Sequence, residues 1–168
     1  MSWSFPRLSN LWLGFALLLV GHGGLVVANS ALADVAQDEA RIKYRQTLMP
    51  GVGSNMGGIG DILKHRLDLP GHVESHARQL AESSKLIGSA FEAEVTSGAT
   101  DAKQKVWQDW EGFEAAIAKF EKAARALETA AAGRDRSAVG PAVKALGKSC
   151  GGCHDTFRKP KEESYKNR

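Results

Sequence analysis

Val106, Trp110, Phe113, Ile117, Phe120, Ala124, Leu127 and Ala131 follow one another at alternating steps of four and three. That spacing places all eight on one stripe of a helix, and it predicts a helix over 102–132 with Gly133 as its stop. The opposite face carries Lys103, Asp109, Glu114, Lys119 and Lys122. A helix apolar along one stripe must bury that stripe against neighbours, so the question is what else the chain offers.

Three further segments repeat the pattern. Val73, Ala77, Leu80, Ser84, Ile87 and Phe91 follow the break at Pro70-Gly71. Val139, Val143, Leu146, Cys150, Cys153 and Phe157 predict a helix over 135–159, capped by Asp135 and stopped by Pro160. Pro141 lies about one turn in, where its missing N–H does limited harm. Ile42, Met49, Val52, Met56, Ile59 and Leu63 form the first stripe, but Pro50, Gly51, Gly53, Gly57, Gly58 and Gly60 oppose it. Relative to Ala, a helix interior loses about 1 kcal/mol per Gly and about 3 for Pro. The reading is one helix over 35–65 bent near Pro50, with two short helices and a loop as the alternative. In either form, a backbone this bare of side chains lets something large and flat come close. Strand-like alternation is scarce. Four amphipathic segments on short connections make the expected fold all-α, an antiparallel up-down four-helix bundle.

The amino-terminal stretch reads differently. Arg7, the apolar run over residues 11–20 and Ala31-Leu32-Ala33 have the layout of a cleavable export signal over 1–33. The apolar run, interrupted by His22, Gly23 and Gly24, is short for a membrane span, so no stable insertion is expected after cleavage. The domain over 34–168 is then expected in the periplasm. Removing residues 1–33 takes away Arg7 and no acid, leaving 21 of the 22 Lys+Arg against 19 Asp+Glu. Acids and bases alternate without a basic stripe, which argues against a nucleic-acid partner. The basic tail "RKPKEESYKNR" reads as a solvated end.

The only cysteines stand in "CGGCH", residues 150–154. A disulfide between Cys150 and Cys153 would close a tiny loop and constrain the unfolded chain little. A redox pair wants thiols near a helix N-terminus, whereas these fall late in a helix. Structural zinc wants four ligands, which His72 and His76 could help complete, although "HVESH" is equally an ordinary polar face. The third reading is a covalent haem attachment site, in which each thiol adds across one haem vinyl and the adjacent imidazole faces the iron. Export, a cysteine count of two and a place on the apolar seam all suit this reading best.

The sequence resembles the class II c-type cytochromes, which include cytochrome c′, from about Arg41 to Lys159. The resemblance is carried by "KYRQTLM" (43–49), "GSNMGGIGDILK" (53–64), "VWQDWEGFEAAIAKF" (106–120) and "LGKSCGGCHDTFRK" (146–159). It implies a four-helix bundle with one haem c per chain; cytochrome c′ is among the standard examples of that bundle. It further implies thioether bonds at Cys150 and Cys153, His154 as proximal iron ligand, and Met49 facing the other side of the haem. Arg45 and Gln46 match an Arg-Gln pair near the haem propionates, where a guanidinium offsets carboxylates. Arg158, four residues after His154, lies over the same face. Many members are homodimers through their first two helices. Pro50 directly after Met49 departs from the pattern and bears on whether Met49 ligates.

Two functions follow from the sixth iron position. Met49 ligation saturates the iron and gives single-electron transfer between redox partner proteins. An open position gives a five-coordinate protein that binds nitric oxide or carbon monoxide. The first is the leading expectation from sequence, with Met56 and core filling as the other uses of the thioethers. No group is evidently placed for proton transfer or nucleophilic attack, so no enzyme is expected.

Overall fold

The structure is a computed structural model that describes residues 23–133 and 136–167. Most of the expected export signal, and the expected cap Asp135, lie outside the described residues. The chain divides into two compact units at Asp34, and the second, Val35–Arg168, holds the packed core and the cavity described below.

Among the described residues there are four long helices, α1 Gly23–His65, α2 His72–Phe91, α3 Trp110–Ala132 and α4 Val139–Phe157. Among the described residues no strand is formed; Ala102 and Arg158 make one isolated antiparallel bridge. No helix among the described residues is long and apolar enough to cross a membrane.

Three of the four helices depart from their predicted bounds, each for an identifiable reason. Among the described residues α1 already runs from Gly23 rather than from residue 35, since Ala28, Ala31, Ala33 and Ala36 are strong helix formers and no Pro stands between Gly23 and Pro50. It also runs through Pro50 as one helix, which decides against two short helices and a loop. α3 begins at Trp110, not residue 102. Asp109 leaves the helical region (φ −138°, ψ 58°), and its side chain accepts the Gly112 N–H, so it caps α3. The residues before it form a separate single turn, Lys105–Gln108. α4 begins at Val139 after a 3-10 turn over Arg136–Ala138, and Arg158 is already extended, so it ends before Lys159.

Cross-helix contacts give the directions. Arg45 reaches residues 90, 93 and 95 while Asn55 reaches His76, so α1 and α2 run antiparallel. Arg78 pairs with Glu128 and Phe91 with Phe113, so α2 and α3 do the same. Phe157, at the end of α4, meets Phe113 near the start of α3 in an edge-on contact of 5.2 Å. The result is the antiparallel bundle.

Its centre takes one fully buried aliphatic residue from each helix, namely Ile59, Leu80, Leu127 and Leu146. Each contributes about 1.5–3 kcal/mol by leaving water. Surface pairs such as Arg125–Glu121 add little beside that.

The connector between α2 and α3 is tied to the chain that leaves α4. Lys103 N–H donates to the Phe157 carbonyl at 2.9 Å, and Lys159 N–H donates to the Asp101 carbonyl at 2.7 Å.

Candidate functional site

One cavity of about 660 Å³ lies between the helices. It falls within the ordinary range for small-molecule and cofactor sites. α4 contributes Cys150, Cys153 and His154 to its wall, because steps of three along the seam bring both thiols to the inner face. α1 contributes Met49, Val52, Met56 and the glycines Gly53 and Gly57, and aromatic and aliphatic residues of α2 and α3 close the rest. A Cβ built on Gly53 or Gly57 would meet nothing within 4 Å, so the α1 wall is open where side chains would otherwise project.

Cys150 and Cys153 are half-buried thiols without a disulfide. Burial pushes both thiols up from the ordinary range, and Cys150 adds to the effect at Cys153. Raised thiols late in α4 do not suit a redox pair, which needs stabilised thiolate. His154 is pushed down by burial first and by the Arg158 guanidinium second, with Asp155 opposing. Although the residue as a whole is exposed, this direction favours the neutral imidazole, the form that gives a lone pair to a metal.

The zinc reading fails. His76 Nδ1 pairs with Asn55 Oδ1 at 2.8 Å, and its Nε2 lies against Gly58. Among the described residues no three His, Cys, Asp or Glu side chains come together as a metal cluster.

Met49 and Met56 both reach the cavity wall and both are half-buried. Met56 is engaged with α4, where its Cε lies 3.8 Å from a Cβ built on Gly147. Trp110 lies beside Phe113 as a core residue, whereas Trp107 donates its indole N–H to the Phe91 carbonyl at 2.7 Å.

Arg45 and Gln46 line the cavity, yet both are already bonded. Arg45 is 4 % exposed rather than solvent-facing, and it donates Nε to the Ala90 carbonyl at 2.8 Å and Nη1 to the Val95 carbonyl at 3.3 Å. Its Nη2 reaches the Ala93 carbonyl at 2.6 Å. These donors, with Trp107, satisfy the Ala90 and Phe91 carbonyls in the last turn of α2 and the Ala93 and Val95 carbonyls in the connector beyond it. Gln46 donates Nε2 to the Ala99 carbonyl at 2.6 Å.

Four residues that sequence reasoning did not single out also border the cavity: Thr100, Asp101, Tyr165 and Lys166. The tail read as solvated therefore reaches the site. The pairing joins positions 101 and 165, and neither period nor motif signals it.

The residues fit a covalently held haem. Two thiols and an imidazole share one wall of an apolar slot, the facing wall is stripped to glycine, and polar groups gather at one end.

The family model for cytochrome c′ matches residues 40–158. A cytochrome c′ of Rhodospirillum rubrum is 33% identical over 134 residues, covering 79% of this chain and 90% of the relative. Cytochrome c prime from Shewanella frigidimarina superposes with a TM-score of 0.68 at 32% identity, covering 73% of this chain and 97% of that one. A nitric oxide complex of a mutant cytochrome c prime from Alcaligenes xylosoxidans gives a TM-score of 0.67 at 27% identity, covering 74% of this chain and 97% of that one.

Proposed function

The chain belongs to the cytochrome c′ family, and we propose that it is a periplasmic member, exported through residues 1–33, that binds nitric oxide or carbon monoxide at an open haem position. The carrying observation is the wall formed by Cys150, Cys153 and His154 in an apolar cavity that also fits the gas-binding relative's fold. This reverses the order expected from sequence, where electron transfer with His/Met ligation came first. Most of the relatives are cytochromes c′, and one structural neighbour is a nitric oxide complex of a mutant cytochrome c prime.

When bound, the haem would supply a redox-active iron able to take a diatomic ligand. The chain supplies the rest. Each thiol of Cys150 and Cys153 adds its S–H across one vinyl group, forming a thioether and leaving no by-product. His154, whose neutral form is favoured by desolvation and by Arg158, would offer its imidazole lone pair to the metal. Met49 fills space on the α1 wall, the side left for the gas. Apolar side chains of α2 and α3 exclude water, which favours a neutral diatomic over ions. Arg45 and Gln46 line the cavity beside the place proposed for the haem carboxylates, with the Arg45 nitrogens on backbone carbonyls and Gln46 on the Ala99 carbonyl. The reading assigns the protein no catalytic turnover.

Electron transfer is the second reading, supported by the Met49 thioether on the cavity wall. A homodimer through α1 and α2 is supported by the exposed Leu63, Leu67, Leu69 and Leu86 in and between those helices; sedimentation tests it.

Visible spectra of the purified holoprotein, oxidised, reduced, and reduced with carbon monoxide, separate the two functions. A high-spin ferric spectrum and rapid carbon monoxide uptake support the open site. A low-spin ferric spectrum with a methionine–iron charge-transfer band overturns it in favour of electron transfer.

A further inference from the structure

The tail after Pro160 lies beyond the residues that the family model matches, yet it is folded onto the cavity. Two single turns, Lys161–Glu163 and Tyr165–Asn167, shape it, and Asn167 Nδ2 closes back on the Lys161 carbonyl at 2.5 Å. The Asp101 carboxylate holds it. That carboxylate accepts the Tyr165 N–H at 2.9 Å and the Ser164 hydroxyl at 2.9 Å, and Arg158 Nη2 approaches at 3.4 Å. Lys159 completes the attachment through Nζ, which donates to the Thr100 carbonyl at 3.0 Å. Thr100 and Ser164 are each 5% exposed, a burial that a solvated tail does not produce.

The cations at this end of the cavity differ in what engages them. Arg45 is committed to backbone carbonyls, and Arg158 faces Asp101. Lys166 lines the cavity with its ammonium 6.0 Å from the Tyr165 ring centroid, and it forms no ion pair among the described residues. A haem brings two carboxylates into a slot whose other walls are apolar, and these carboxylates need this polar end.

We propose that residues 160–167 are a strap, latched by Asp101, that closes the polar end of the cavity and presents Lys166 to a haem carboxylate. The proposal rests on the haem reading of the site. A cation held against that carboxylate lowers the cost of its negative charge near the iron, and so favours the reduced protein.

Full-length holoproteins test it, each first weighed for the covalently added macrocycle. Asp101→Ala, or Ser164→Ala if the first variant does not fold, is expected to speed tryptic cleavage after Lys161 several-fold. Lys166→Gln is expected to leave that cleavage rate unchanged and to lower the midpoint potential at neutral pH, with Lys166→Arg restoring it. Unchanged cleavage in the latch variants overturns the latch. A Lys166→Gln potential equal to the parent's, or one that Lys166→Arg does not restore, overturns the pairing. In both cases the macrocycle is still present. A parent chain without the added mass instead overturns the haem reading, and the Lys166 pairing with it.

Discussion

The Arg45 guanidinium lies 4.7 Å from the centroid of the Phe91 ring while its nitrogens bond one carbonyl in the last turn of α2 and two in the connector just past it. A buried cation therefore does the work of a helix cap and ties α1 to α2. Burial pushes its pKa down, Arg41 adds to this, and Asp38 opposes it. Replacing Arg45 with Met strips donors from several carbonyls at once. The holoprotein is expected to lose about 3 kcal/mol, the scale for buried hydrogen bonds to a charged group. Denaturant unfolding reads the loss; a midpoint matching the parent's counts against the cap.

Met49→Ala tests the space above the haem. The change is expected to leave the ferric spectrum high-spin and to speed carbon monoxide binding several-fold. The cost in stability is expected near the low end of the roughly 2–5 kcal/mol range for Met→Ala, since Met49 is only half-buried. A spectrum that turns from low-spin to high-spin on this substitution would identify Met49 as an iron ligand.

Covalent attachment is checked one sulfur at a time. Cys150→Ala or Cys153→Ala is expected to leave one thioether, and the double variant none. Acid-acetone extraction should then remove all colour from the double variant alone.

The two kinds of glycine in α1 are expected to respond oppositely. A Cβ on Gly58 would come within 2.8 Å of His76 Nε2, so Gly58→Ala must displace the imidazole that Asn55 holds. Overpacking of this kind costs about 1–3 kcal/mol. Gly57 faces open space in the cavity wall. Gly57→Phe is expected to fold and to carry less covalent haem, measured as the ratio of haem to protein absorbance.

Acid should release the strap. Burial alone would raise the Asp101 carboxyl, but the Tyr165 N–H, the Ser164 hydroxyl and Arg158 together hold it below the usual carboxylate range. A depressed carboxyl contributes stability above its unfolded value of about 3.9, and that contribution is lost as pH falls through the folded value. Hydrogen exchange at the Tyr165 amide is expected to accelerate on acidification through that window, corrected for intrinsic rates. Asp101→Asn should flatten the dependence.

The bundle was legible because its signals are local. Phe113, Phe120, Ala124 and Leu127 are buried where the four-three stripe put them, and Leu146 and Phe157 likewise. The start of α3 was missed although Asp109 and Gly112 have the spacing of a cap; the stripe continues through Val106 and Trp110 and conceals the break. The place of Cys150 and Cys153 on the inner face followed from spacing, and that of His154 from the C-x-x-C-H motif and the family resemblance. The bonds of Arg45 and the latch at Asp101 did not, because each joins segments about fifty or more residues apart, and such contacts carry no period.

Pro50 has no amide proton to give the Gln46 carbonyl, so α1 lacks one rung of its ladder next to Met49. The wall that faces an incoming gas is thereby the softest turn of its helix. Room for a ligand can arise from a small flexure there, with the buried quartet of Ile59, Leu80, Leu127 and Leu146 left undisturbed. Compliance on one side and rigidity on the other would let the site breathe without loosening the protein.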